Sequence, residues 1–179
     1  MLIIRVTSAC EIVLVDILGE DFGGVNTAVI LAGGEGKRTR IKKRNQALVK
    51  VMFPIRGKPN LERLIELVRD QLDIRRILIV VNYKRELIEE YFGTGEKFGV
   101  EISYVTSQAT DGTADALYRA KDMVPRFFYV MLGDEFYLES THYRFNSLDL
   151  KGCDGAVSYK TANNPQDINA NYSLNVDEK

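Results

Sequence analysis

Three observations predict an α/β fold built on a mostly parallel sheet. Short apolar runs of strand character alternate with segments whose apolar residues fall at helical spacing, from Thr27 to about Tyr159. Strands separated by helix-length connections imply βαβ units, because parallel neighbours need a crossover. The first strand-like run ends in Gly33, Gly34 and Gly36, and a later one ends at Leu132 in Gly133-Asp134-Glu135. Ligands of open α/β sheets sit beyond the carboxyl ends of the strands. If both strands are central in the sheet, the two loops can face each other across one crevice.

The elements follow in order. Residues 1–26 are apolar without a clear period and close in Gly-Glu-Asp-Phe-Gly-Gly. They read as an atypical N-terminal extension, with Val25 as an alternative start and residues 27–179 as the domain. Residues 29–32 read as a buried strand. Residues 60–72 carry Leu61, Leu64, Ile65, Leu67, Val68 and Leu72 near helical spacing, behind Pro59 at the first helical position. Residues 76–81 form an Ile/Leu/Val strand. Residues 85–92 form a helix with Leu87, Ile88, Tyr91 and Phe92 on one face, and residues 100–105 another strand. A helix over 113–123 uses Ala114, Leu117 and Ala120. Strands are expected over 126–132 and 154–159. Beyond Lys160, Asn163, Asn164, Asn169, Asn171 and Asn175 point to turns and an edge hairpin.

Bulk properties set several functions aside. The net charge of −1 argues against nucleic acid or an anionic membrane as a partner. Cys10 and Cys153 are far apart and His142 is the single histidine, so no metal-ligand spacing exists. Two buried free thiols in a reducing cytoplasm is the reading for the cysteines. The apolar start is interrupted by Glu11 and Asp16, with Arg5 its early basic residue. That pattern fits neither a signal peptide nor a membrane span.

The glycine loop carries the chemistry. Glycines let backbone N–H groups approach an anion, and successive N–H groups form a phosphate-sized nest. A P-loop needs Ser or Thr after Gly-Lys and a glycine five residues before the second one; here those positions are Arg38 and Leu31. A dinucleotide fingerprint beginning at Gly34 would need a glycine where Thr39 stands. Both familiar patterns fail.

A third pattern does match. Leu31-Ala32-Gly33-Gly34-Glu35-Gly36-Lys37-Arg38 resembles the signature of the sugar-1-phosphate nucleotidyltransferases. Downstream, in the family's order, come Lys50, Pro54-Ile55 with Gly57-Lys58-Pro59, and Val80-Val81-Asn82-Tyr83. Then follow Gly95-Glu96-Lys97-Phe98-Gly99-Val100 with Ile102-Ser103-Tyr104, Gly112-Thr113-Ala114-Asp115-Ala116 and Leu132-Gly133-Asp134. Each motif alone is weak; their order is specific, over about residues 27–160. The resemblance implies a Rossmann-like three-layer α/β/α fold of the nucleotide-diphospho-sugar transferase type. It also implies the joining of a nucleoside triphosphate to a sugar-1-phosphate with release of pyrophosphate.

Roles follow from the same resemblance. Leu31, Ala32, Gly33, Gly34 and Gly36 would wrap the triphosphate. Arg38 would hold the β and γ phosphates with its two-pronged guanidinium, and Lys50 would bridge the reacting phosphates. Asp134 would hold Mg²⁺, a hard cation that takes carboxylate and phosphate oxygen. Gly112 and Thr113 would let the base approach the backbone, and Gln108 would contact it. Plainer readings stand beside these: a solvated loop arginine, a surface lysine within a strand, a turn aspartate and a helix-start glycine. Residues 37–44 hold six basic side chains in eight positions, read as a mobile, solvated loop that draws in an anionic substrate. No aromatic residue interleaves there for base stacking. The expected partners are the two substrates, with no nucleic acid and no membrane, and a homo-oligomer is left open.

The chain also departs from the family. The spacing from Arg38 to Lys50 is longer, Val49 and Val51 replace the prolines around the lysine, and Ser107 stands where the family reads the base. The family's Glu-Lys-Pro sugar segment and late metal-site aspartate are not found before Lys179. The resemblance therefore implies a fold incomplete at the C-terminus, and a non-catalytic nucleotide-binding or regulatory domain stays open as an alternative; a cytidylyltransferase acting on a small alcohol phosphate, which uses a similar loop, is the other.

Overall fold

The structure is a computed structural model of the 179-residue chain. It describes residues 25–35, 42–43, 46–47, 49–108, 112–138 and 140–147. The expected strand over 154–159, the Asn-rich hairpin, both cysteines and the N-terminal extension before Val25 lie outside the described residues.

In chain order, β1 is Thr27–Leu31, β2 Lys42–Lys43, β3 Gln46–Ala47, β4 Pro54–Ile55 and β5 Lys58–Pro59. Helix α1 is Asn60–Gln71, then β6 Arg76–Val81, α2 Arg85–Phe92, β7 Glu101–Thr106, α3 Gly112–Tyr118 and β8 Tyr129–Leu132. Four strands form one parallel sheet in the order β7-β6-β1-β8. From β1 the chain moves outward through β6 to β7, then returns to the other side of β1 as β8. The order therefore reverses between β1 and β8, which is the switch point where α/β sheets bind ligands.

Helices cover both faces, giving the expected three layers. On one face Ala28 and Ile30 of β1, with Ile77 and Ile79 of β6, pack against Leu61, Leu64, Ile65 and Val68 of α1 and Ile88 and Phe92 of α2. On the other, Val29, Leu78, Val80 and Val130 meet Leu117 of α3, Ala120 and Phe128. Successive strand side chains point to opposite faces, so a strand covered on both sides is apolar throughout. That explains why β1 shows no polar alternation.

Several boundaries differ from the sequence reading. Pro59 caps α1 as the last residue of β5, and Asn60 opens the helix. In α2 only Ile88 and Phe92 are buried, whereas Leu87 and Tyr91 are exposed. The (i, i+4) pair that faces the sheet is enough to seat a two-turn helix. Helix α3 stops at Tyr118, because Ala120, Lys121 and Met123 donate to carbonyls three residues back and tighten the chain into turns. β8 starts at Tyr129 rather than Arg126, since its ladder on β1 begins only at Ala28. The chain around Lys50 is a tight helical turn, Lys50–Met52, and not a strand. Within the basic segment, β2 and β3 pair antiparallel, Lys42 opposite Ala47 and Lys43 opposite Gln46.

His142 is a packing residue. It is buried, edge-on to Tyr137 with ring centres 4.7 Å apart, and 6.2 Å from Phe145. Among the described residues no helix is long and apolar enough to cross a membrane.

Candidate active site

The site forms where β1 and β8 end side by side. Gly133, just past β8, donates its N–H to the Leu31 carbonyl at 2.9 Å, which stitches the second loop to the root of the first. Ala32 is buried, and its N–H continues the ladder to the Val80 carbonyl at 2.8 Å. Gly33 lies against β7's exit: a Cβ there would stand 2.9 Å from Ser107 Oγ and 3.2 Å from Asn82 Cβ. Gly34 faces open space. The loop thus leaves the sheet with close packing against Gly33 and open space around Gly34.

Lys50 and Asp134 form an ion pair, although 84 residues separate them. Both side chains remain partly open to solvent, at 40% and 30% relative exposure, so the pair is reachable by a ligand. Val49 and Val51 flank Lys50 and are buried, and this anchors the turn while the ammonium reaches outward. The replacements that looked like a loss of family prolines are therefore core contacts. Beside the pair, burial pushes the Glu135 carboxyl above its usual range, the Asp134 charge adds to that, and Lys50 offsets part of it.

Asn60 was not singled out by sequence reasoning. It is buried, and its Nδ2 donates to the carbonyls of Gly133 at 3.2 Å and Glu135 at 2.7 Å. A polar amide directly behind Pro59, at the start of an otherwise apolar helix face, was the available signal. Glu135, a second acid next to Asp134, was another.

The remaining predicted residues fall elsewhere. Ser107 is buried, with its N–H on the Val81 carbonyl at 2.9 Å, while Gln108 is exposed at the mouth of β7. Gly112 and Thr113 open α3 and are exposed; Gly112 has φ +74°, a left-handed conformation that suits glycine. Gly36 and Arg38 lie outside the described residues. The arrangement therefore unites Leu31, Ala32, Gly33, Lys50 and Asp134 around one switch point. Among the described residues no group of three or more His, Cys, Asp or Glu side chains is placed to hold a metal ion.

Residues 27–151 match the family model described as nucleotidyl transferase. The chain belongs to the nucleotidyl transferase family. It is 40% identical over 107 residues to the bifunctional protein GlmU of Methanocaldococcus jannaschii, covering 60% of this chain and 24% of that one. It is 33% identical over 158 residues to the D-glycero-alpha-D-manno-heptose 1-phosphate guanylyltransferase of Campylobacter jejuni, covering 85% of this chain and 70% of that one. The fold resembles HddC from Yersinia pseudotuberculosis, solved in complex with GMP-PN, with TM-score 0.57 and 31% identity over 68% of this chain and 52% of that one. The chain thus spans about a quarter of the archaeal relative's length and about half of the solved structure.

Proposed function

We propose that this chain joins a nucleoside triphosphate to a sugar-1-phosphate, giving a nucleotide sugar and pyrophosphate. The observation that carries the reading is the Lys50–Asp134 pair at the β1/β8 switch point, beside the Gly33-Gly34 loop. A cation and an acid brought together there, at the root of a glycine loop, suit polyphosphate chemistry. The membership of the family, and the sugar-phosphate substrate named for the Campylobacter relative, support the same reading.

The proposed step is an in-line displacement. An oxygen of the sugar-1-phosphate attacks the α-phosphorus of the triphosphate and forms the new P–O bond. The bond from the α-phosphorus to its bridging oxygen breaks, and pyrophosphate leaves with that electron pair. The nucleophile is already an anion, so no base is needed. What the protein supplies is position and positive charge. Lys50 neutralises the charge that gathers between the two reacting phosphates. The 32–36 backbone cradles the triphosphate, and Arg38 grips its β and γ groups. Gly112, Thr113 and Gln108 line the approach of the base.

Mg²⁺ fits the donor set on chemical grounds. Asp134 offers hard oxygen, already faces a cation in Lys50, and has the Glu135 carboxyl beside it. Mg²⁺ needs only one or two carboxylates when phosphates supply further oxygens. Bound there, the ion would screen charge on the triphosphate; the residues that hold it would be Asp134, with Glu135 adjacent.

The test is pyrophosphate release from a panel of nucleoside triphosphates and sugar-1-phosphates. Turnover with one pair is the expected result. Triphosphate binding by calorimetry without pyrophosphate from any pair would overturn the catalytic reading and leave a binding module.

A further inference from the structure

We propose that Asn60 is a positioning residue that sets the Asp134 loop at its working distance from the Lys50 turn. The proposal rests on the reading above for its metal, and on geometry alone for the anchoring. Asn60 is 4% exposed and sits at the start of α1. Its side-chain nitrogen donates to the carbonyls of Gly133 and Glu135, the residues on either side of Asp134. Both partners are acceptors, so the amide must present its NH₂, and that one nitrogen supplies both protons. Its backbone N–H donates to the Phe53 carbonyl at 3.1 Å, and Phe53 is the residue that closes the turn carrying Lys50. One residue therefore holds both segments of the ion pair. Gly133 is held a second time, by its N–H on the Leu31 carbonyl. Asp134 lies between the two carbonyls that Asn60 holds.

Other side chains do only part of this. Aspartate has the same shape, but when ionised it has no proton to give either carbonyl. Alanine leaves both carbonyls without their donor. Leu64, one turn further along α1 and buried in the core, serves as the control for loss of packing in the same helix.

The experiment uses the 179-residue chain and its Asn60→Ala, Asn60→Asp and Leu64→Ala variants. Mn²⁺ binding is followed by paramagnetic resonance with a non-hydrolysable nucleoside triphosphate, and amide exchange is followed at residues 133–135. Both Asn60 variants are expected to weaken Mn²⁺ binding by about 10–100-fold, the usual cost of losing a partner that orients a ligating carboxylate, with Leu64→Ala near wild type. Exchange at Gly133 and Glu135 should accelerate in the Asn60 variants only. If either folded Asn60 variant keeps wild-type Mn²⁺ affinity and exchange, the proposal is overturned. Should wild type bind no Mn²⁺ with the triphosphate, the metal reading fails. The exchange data then decide the anchoring: faster exchange upholds it and unchanged exchange overturns it.

Discussion

Gly133 presses on Leu31: its N–H donates to the Leu31 carbonyl at 2.9 Å, and a Cβ on it would stand 3.0 Å from that same oxygen. The Leu31 carbonyl belongs to β1, which is paired on both sides and has no room to retreat. The same added carbon would meet Val51 Cγ1 at 3.2 Å and the Ala32 Cα at 3.4 Å. Gly133→Ala is therefore expected to cost about 1–3 kcal/mol, as overpacking does. Urea unfolding measures it; a cost near zero would show that β1 and β8 can part. Gly33 differs, because its nearest obstacle is a side-chain atom, Ser107 Oγ at 2.9 Å. Gly33→Ala should recover part of its loss when combined with Ser107→Ala, a coupling that a double-mutant cycle reads directly.

The β4–β5 hairpin turns through Arg56 at φ 49° and Gly57 at φ 85°. Space around Gly57 is open, so only backbone strain opposes a side chain there. Gly57→Ala is expected to cost about 1–2 kcal/mol. Arg56→Gly relieves strain but frees the unfolded chain, and should change stability by less than about 1 kcal/mol. Arg63, whose guanidinium donates twice to the Ile55 carbonyl at 2.9 and 2.7 Å, holds the turn in both variants.

Tyr104 gives a pH signature. Burial, and then the Glu89 carboxylate, push its hydroxyl up to about 12, and that hydroxyl donates to the Gly93 carbonyl at 2.7 Å. The folded state keeps the proton longer than the unfolded state, whose tyrosines ionise near 10. The resulting stability is whole below about pH 10 and is lost as pH rises to about 12. Urea unfolding across that window should show a fall in wild type that Tyr104→Phe flattens. Parallel curves would place the ionisation elsewhere.

Lys50 and Asp134 should act as a unit. Lys50→Met and Asp134→Asn are each expected to lower kcat for pyrophosphate release by about 10²–10³-fold. The double variant should be little worse than either single one, because groups that work together lose their effect together. Lys50→Arg is not expected to restore the rate, since a planar fork does not replace a compact point charge. Fully additive losses would mean that the two residues serve separate steps.

The layers were legible in the chain alone. Apolar period and Gly/Pro punctuation are local properties, and they located β1, α1, β6, α2 and β7 to within two residues at either end. The ordered motifs likewise picked out Lys50 and Asp134, which the structure brings into one ion pair. The ends of α3 and β8 were not legible, because a helix tightens and a strand stops where its partner does. That β8 lies against β1 emerged with the folded sheet, since strand order is a pairing between distant segments. That pairing sets Gly133 tightly against Leu31, closes the 84-residue separation between Lys50 and Asp134, and turns Asn60 from a helix-start amide into the link between their two segments.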